Sequence, residues 1–183
     1  PEVGAEPHSE PHLAQIWAFE RLKSLAASDK AQATTEAPKF IHDYRMTREM
    51  IPTDLLGEPT VWEALLEKMP MTAMIRNLAT MTRVGLLSTM ADANKLVIDK
   101  LQNADYLKAA RIHPINVLTA LRTYASGHGV RGNATWTPVQ KIVDALDDAF
   151  YASFEHVVPT GKRHMVAIDV SGSMSSPIMG GGD

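Results

Sequence analysis

Apolar residues recur every three or four positions along most of this chain, which is the spacing that places them on one face of an α-helix. The clearest stripe follows Pro70, a residue that ends one helix and suits the first turn of the next. The stripe consists of Met71, Met74, Ile75, Leu78 and Met81. By the same reasoning we predict about seven or eight short helices and no strand before Met165.

Helix-starting and helix-breaking residues set the predicted boundaries. Thr60 and Glu63 have the spacing of a capping box, in which a hydroxyl and a carboxylate each accept a backbone N–H. Ile115 and Phe154 are predicted to face inward with the other apolar residues of their helices. The stretch 28–38 is rich in Ala, Thr and Ser and is predicted to be a connector. The predicted helices lie close to residues 13–27, 39–50, 60–69, 70–81, 94–103, 105–111, 114–126 and 138–154.

Short connections between sequential helices favour a mainly α fold, in the form of an α-solenoid of irregular HEAT-like repeats. No exact sequence period accompanies the helices, so an irregular helical bundle remains an alternative. We predict a lead-in and first helix over residues 1–38 and helical repeats over 39–158. A second domain is predicted to start within 159–183.

The character of the chain changes after a turn at residues 159–161. The run 165–170 is apolar nearly throughout, which is typical of a doubly covered strand of a parallel sheet. It leads into Asp169, Ser171 and Ser173, whose side-chain oxygens are ligands that a hard cation such as Mg²⁺ prefers. The alternate spacing predicts that the three oxygens lie on one side of a tight loop. A polar loop without a metal ion is the alternative.

The amino-acid composition limits the classes of protein to which this chain can belong. Apolar residues make up 45% and charged residues 21% of the 183 residues, as in ordinary globular proteins. The absence of cysteine excludes disulfides, thiolate metal sites and cysteine nucleophiles. The formal net charge of −3 argues against a surface coated in basic residues but permits a local basic stripe. No membrane-length apolar run, signal peptide or catalytic constellation is visible, so we expect a cytoplasmic, non-enzymatic protein without a membrane partner.

Four separated motifs resemble the TROVE domain of Ro 60-kDa ribonucleoproteins. They are WEALLEKMPMTAMIRNL at 62–78, ARIHP at 110–114, YASGHGVRG at 124–132 and PTGKR at 159–163. The last is followed, as in that family, by the strand and the Asp-x-Ser-x-Ser loop, so the resemblance covers about residues 40–176. It implies that this loop opens a von Willebrand A-like domain whose further metal ligands lie in later loops. Because the sequence does not contain those loops, we expect a truncated domain in which Mg²⁺ binding is weak or absent.

The resemblance also implies a function. Members of the family form a ring of HEAT-like repeats that is closed by the von Willebrand A-like domain. They bind small structured Y RNAs on the outer surface of the ring, and single-stranded 3′ ends of misfolded RNAs enter its hole. Bacterial relatives act with 3′-to-5′ exoribonucleases in RNA decay and processing. We therefore expect an RNA-binding component of a Ro-type ribonucleoprotein that serves RNA quality control or processing.

Arginine suits an RNA partner because its guanidinium donates two parallel hydrogen bonds to a phosphate and stacks on bases. Arg111 lies at a predicted helix end, where a cation also answers the helix dipole, so a structural role is the alternative. Arg131 lies in a loop framed by glycines, which allow close backbone approach to a phosphate or simply end the preceding helix. The candidate RNA contacts are Arg76, Arg111, His128, Arg131, Lys162 and Arg163, with Lys108, His113 and Arg122 as further basic candidates.

The competing hypothesis is a helical protein-interaction scaffold whose divalent-metal loop contacts a carboxylate of a partner. The two hypotheses differ in what controls binding. RNA binding through phosphates weakens steeply as salt is added. Binding by the scaffold would require the divalent ion and would survive moderate salt.

Overall fold

The computed structural model describes residues 11–129 and 132–175, which form eight α-helices. The helices are α1 Pro11–Ser28, α2 Lys30–Tyr44, α3 Pro59–Lys68, α4 Met71–Arg83, α5 Ala93–Gln102, α6 Ala104–Ala110, α7 Pro114–Ser126 and α8 Gln140–Ala152. Four 3₁₀ turns accompany them at Arg48–Met50, Thr53–Leu55, Ser153–His156 and Gly172–Ser175. The β-type pairing in these ranges is an isolated antiparallel bridge between His128 and Thr135. The predicted mainly α class is therefore confirmed.

Helices that follow one another pack together at both ends of this region, α1 on α2, α2 on α3 and α7 on α8. Helix α8 also packs on α5, and α7 on α4, so segments far apart in the sequence meet. The buried side chains form one continuous core, in which Trp62 and Tyr124 are the largest that are fully buried. The HEAT-like solenoid and the domain boundaries stay predictions. None of the helices within the described ranges combines the length and apolarity needed to cross a membrane.

The predicted connector at 28–38 is wrong, because α2 runs through most of it. Asp29 caps this helix, and its Oδ1 accepts the backbone N–H three residues later at 3.0 Å. Pro38 lies inside α2, although an interior proline costs a helix about 3 kcal/mol. Packing against α1 offsets that cost, since Ala33, Ala37 and Ile41 of α2 are all buried.

Helix α2 also ends earlier than predicted, at Tyr44 rather than near residue 50. Arg45 takes the left-handed conformation with φ 51° and ψ 43°, and its backbone N–H donates to the Ile41 carbonyl. The Met46 N–H donates to the same carbonyl at 3.1 Å, and the Met46 side chain is buried. This is a Schellman-type helix end in which an arginine occupies the position that usually belongs to glycine.

The predicted capping box at Thr60 is wrong as well. Helix α3 begins at Pro59 with Glu58 as its N-cap residue, and no side chain caps it. Proline is favoured at the first position of a helix because it has no N–H that would need a partner there. Pro59 therefore starts the helix one residue before Thr60.

Two predicted inward-facing residues point outward. Ile115 is 52% exposed and Phe154 is 50% exposed. The buried residues of α7 are Pro114, Val117, Leu121 and Tyr124, of which Leu121 and Tyr124 were predicted. One turn of an α-helix takes 3.6 residues, and this buried face excludes Ile115.

The C-terminal end of α3 is held by a lysine from α5. The Lys100 Nζ donates to the carbonyl of Leu66 at 2.6 Å and to that of Glu67 at 3.0 Å. Burial lowers the pKa of Lys100, and the neighbouring Glu67 charge partly opposes this shift. This cation therefore adds hydrogen bonds to two carbonyls in the last turn of α3, where carbonyls lack the usual partner four residues later.

The hydroxyl of Tyr124 ties α7 to α4 and α8. It lies 2.9 Å from the Thr82 hydroxyl and accepts the Val139 backbone N–H at 3.2 Å, just before α8 begins. Tyr124→Phe leaves this buried N–H without its acceptor, so we expect the free energy of unfolding to fall by about 1–2 kcal/mol. Urea denaturation measures the change. The exposed Tyr151→Phe is the matched control, and an equal effect of both changes would contradict the assigned role.

The predicted strand at 165–170 has no sheet to join in the described part of the chain. Residues 163–170 are without regular structure, and Met165, Val166, Ile168 and Val170 are each at least 79% exposed. A strand needs a neighbour for its ladder of hydrogen bonds and a layer that covers its apolar side chains. The described residues supply neither, so an apolar run alone was not enough to form the strand.

Candidate nucleic-acid interface

A groove of about 470 Å³ lies where α6 ends and α7 begins. Its basic lining residues are Lys108, Arg111 and His113. The 3₁₀ turn after α8 and the two valines that follow form the opposite side. The structure thus brings one predicted RNA contact, Arg111, together with two of the further basic candidates.

The end of α6 fixes the position of Arg111. Asn103 starts this helix by accepting the Tyr106 backbone N–H at 2.9 Å on its side chain. At the other end Arg111 is left-handed, with φ 47°, and its N–H donates to the Lys108 carbonyl at 3.0 Å. The next residue, Ile112, is buried and anchors the turn, while the Arg111 side chain stays exposed.

His113 is the N-cap residue of α7, ahead of Pro114. Its Nδ1 accepts the Ile115 backbone N–H at 3.2 Å. A neutral imidazole that accepts at Nδ1 carries its proton at Nε2. His113 therefore keeps one N–H donor while it caps the helix.

The groove combines unpaired positive charge with exposed apolar surface. Across residues 11–129 and 132–175, neither Lys108 nor Arg111 forms an ion pair. Glu155 is the acidic residue in the lining. Val157 and Val158 are 47% and 89% exposed. Cations without protein partners bind phosphate through charge-assisted hydrogen bonds, and apolar side chains beside them suit the face of an unpaired base.

Lys162 and Arg163 are exposed in the turn that follows this groove. Gly161 has φ 67°, a conformation that glycine adopts at no steric cost. The Thr160 hydroxyl accepts the Lys162 N–H at 3.3 Å and lies 2.7 Å from the His164 Nε2. Four residues of chain span at most about 14 Å, so Lys162 stays within that distance of Val158.

The other predicted RNA residues lie elsewhere. Arg76 is exposed on α4, and His128 follows α7, with its Nδ1 3.4 Å from the Gly129 carbonyl. Neither lines the groove. Arg131 lies outside the described residues. Arg122 is exposed on α7 but does not line the groove either.

The structure supports the alternative prediction for Gly127, which is that this glycine ends the preceding helix. Gly127 ends α7 with φ 71°, and a Cβ there would lie 3.0 Å from the Trp136 carbonyl oxygen. Its own carbonyl accepts the Trp136 N–H at 2.9 Å. Close packing at a helix end thus explains Gly127 without a phosphate.

Asp169 and Ser171 of the predicted metal loop are exposed and form a turn. Asp169 Oδ1 accepts the Ser171 backbone N–H at 2.9 Å. This bond, with a second from the Ser171 hydroxyl, lowers the pKa of the Asp169 carboxyl, so it is charged at neutral pH. Ser173 lies in the following 3₁₀ turn. Side-chain oxygens are the type of ligand that Mg²⁺ prefers, but three are too few, because Mg²⁺ takes about six ligands. The described residues also hold no cluster of three or more acidic, His or Cys side chains.

Three cations that the sequence did not single out surround another pocket. They are Arg45, Arg48 and Lys68. Arg45 and Arg111 are also the two non-glycine residues with positive φ in the described ranges. Glycine or asparagine is the usual sequence marker of that conformation, so an arginine there gives no signal in the sequence.

The chain matches a family model, which includes the end of α6 and the start of α7, and it matches curated relatives. The model of the TROVE domain matches residues 43–123. The RNA-binding protein RO60 of Caenorhabditis elegans is 49% identical over 139 residues, which are 75% of this chain and 21% of that protein. The chain belongs to the TROVE-domain family of Ro 60-kDa proteins.

A second member of this TROVE family, the RNA-binding protein RO60 of Deinococcus radiodurans, is 41% identical over 147 residues. The match covers 80% of this chain and 28% of that protein. The crystal structure of the Deinococcus radiodurans RO (RSR) protein superposes with a TM-score of 0.79 at 36% identity. It covers 95% of this chain and 34% of that one. The chain therefore spans about a fifth to a third of the Ro proteins that it matches.

Proposed function

We propose that this chain is the part of an RNA-binding Ro-type protein that holds RNA phosphates in the groove at the α6–α7 junction. The observation that carries the proposal is that Lys108, Arg111 and His113 line one groove. Lys108 and Arg111 form no ion pair among the described residues. Two relatives of 49% and 41% identity are named RNA-binding proteins, which supports RNA as the ligand. Lys162 and Arg163 extend the basic surface from the adjoining turn.

The RNAs in this proposal are small structured Y-like RNAs and the single-stranded ends of misfolded RNAs. Paired regions offer phosphates to the cations, and unpaired bases can pack on Val157 and Val158. Recognition of shape and of unpaired nucleotides is the usual way in which proteins select structured RNA. A role in RNA quality control or processing, with a 3′-to-5′ exoribonuclease as partner and in the cytoplasm, completes the proposal.

The chain acts in this proposal by binding, without catalysis of its own. Asp169, Ser171 and Ser173 would hold Mg²⁺ through oxygen, with the remaining ligands from water or other residues. The ion would supply positive charge for contact with a partner carboxylate. The exposed apolar run 165–170 favours a second candidate function, a helical scaffold that binds a protein partner beside this loop.

A salt titration distinguishes the two functions. The chain is titrated into a hairpin RNA with a single-stranded 3′ tail, at several salt concentrations, with and without Mg²⁺ at constant ionic strength. Three to five phosphate contacts predict a slope of log affinity against log salt between about −2 and −4.5, with or without Mg²⁺. A flat slope, or binding that requires Mg²⁺, would contradict the RNA proposal and favour the scaffold.

A further inference from the structure

A second pocket, of about 350 Å³, lies where the end of α2 meets α3 and the start of α4. Its floor is apolar and is formed by Met46, Leu65 and Met69, each no more than 5% exposed. Its volume falls in the range of about 300–1,000 Å³ that is usual for small-molecule sites. It shares no lining residue with the groove at the α6–α7 junction.

The rim of this pocket is positively charged. Arg45, Arg48 and Lys68 line it, and all three are exposed. In the described portion of the chain none of their side chains has an ion pair or a hydrogen bond. Glu49 is the acidic residue in the lining, so the rim keeps an excess of positive charge.

Other charges near the rim are already engaged. His42 also lines the pocket, and its Nε2 lies 2.8 Å from Oε2 of Glu67. Glu67 additionally lowers the cost of burying the Lys100 charge. Among the described residues Glu67 forms no ion pair with the three rim cations, which remain available to an anion.

The left-handed end of α2 places Arg45 at the edge of this pocket. Arg45 is left-handed at φ 51°, a conformation in which glycine has no steric penalty and arginine does. Arg111, the other non-glycine residue of this kind in the described ranges, lines the proposed RNA groove. In both places the left-handed end of a helix holds an arginine at the edge of a cavity.

We propose that this pocket holds one unpaired nucleotide of a single-stranded RNA. The base lies on the apolar floor, and the flanking phosphates contact Arg45, Arg48 and Lys68. The positively charged rim favours an anionic ligand. The apolar floor below the cations favours an anion that carries a flat ring, and a nucleotide has both a phosphate and a flat base. This inference rests on the proposed RNA-binding function and adds a separate subsite for unpaired RNA.

The test uses the 183-residue chain with three probes: a labelled single strand of about ten nucleotides, within the usual size of single-strand sites, a blunt hairpin, and AMP. Arg45→Gly with Arg48→Gln removes two rim cations and relieves the left-handed backbone. We expect about tenfold or greater weakening of single-strand binding and a salt slope shallower by about 0.7 for each lost phosphate contact. Hairpin binding is expected to change less than twofold.

Ala73→Leu is the second variant, because Ala73 is a half-buried lining residue whose enlargement fills the pocket without changing a charge. It is expected to weaken single-strand binding about tenfold, by loss of the base contact, while the salt slope stays unchanged. Arg21→Gln with Lys141→Gln is the charge-matched control on α1 and α8, where both residues are exposed. Equal thermal midpoints show that the variants fold.

The outcomes separate the two proposals. Single-strand binding that both pocket variants leave intact overturns the pocket proposal while the RNA function stands. Wild-type chain that binds the single strand but not the hairpin contradicts the groove proposal alone. AMP that binds as tightly as the single strand overturns the RNA subsite in favour of a small-molecule site. Wild-type chain that binds none of the probes overturns both.

Discussion

Replacing both Lys108 and Arg111 with glutamate is expected to weaken binding of a tailed hairpin RNA by about a hundredfold or more. Both cations line one groove and lack ion pairs among the described residues. Each reversal removes a charge-assisted contact with phosphate and adds repulsion. Because both side chains are exposed, we expect the thermal midpoint to change little. Filter binding at constant salt measures the affinity.

The control for this experiment carries the same change in net charge at a distance from the groove. Arg21→Glu with Lys141→Glu places the reversals on the exposed faces of α1 and α8. This control tests whether the loss of affinity comes only from the change in net charge, because charges far from a site also affect binding at low salt. If both double variants lose the same affinity, the groove is not the binding site.

Trp62→Ala is expected to lower the free energy of unfolding by about 3–5 kcal/mol. Trp62 is fully buried at 0% exposure, and its Nε1 donates to the Leu56 carbonyl at 2.8 Å. The substitution leaves a large cavity in the core and removes the hydrogen bond that fastens the turn before α3. Urea denaturation followed by far-UV circular dichroism measures the change.

Trp62→Phe separates the two contributions. It keeps most of the apolar volume and loses the indole N–H, so we expect a smaller destabilisation than for alanine. A loss of less than about 1 kcal/mol on changing Trp62 to alanine would mean that this residue is not central to the core.

Local sequence patterns predicted a helix well where its own apolar face and its end residues were sufficient to define it. All five residues of the stripe from Met71 to Met81 are buried in α4, and α7 starts at Pro114 and ends before Gly127 as predicted. Tertiary packing overrode the local rules elsewhere. Pro38 lies inside α2 because that helix buries a face on α1, and no local rule contains that partner.

The site could be predicted only in part for the same reason. Arg111 stands out in the sequence as a cation at a helix end, but the groove also needs Val157 and Val158, about 45 residues further along the chain. Arg45 gives no sequence signal because only the structure shows its left-handed backbone. The apolar run 165–170 met the pattern of a strand, yet pairing depends on neighbours that the described residues do not provide.

The central claim is that RNA lies in the groove at the α6–α7 junction, and photocrosslinking tests it most directly. A tailed hairpin carrying 4-thiouridine is crosslinked to the chain, and the crosslinked peptides are identified by mass spectrometry. We predict crosslinks in residues 108–113 and 155–163, which are lost on reversing the charges of Lys108 and Arg111. A complex whose crosslinks fall only elsewhere, for example on α1 or α5, would contradict the account.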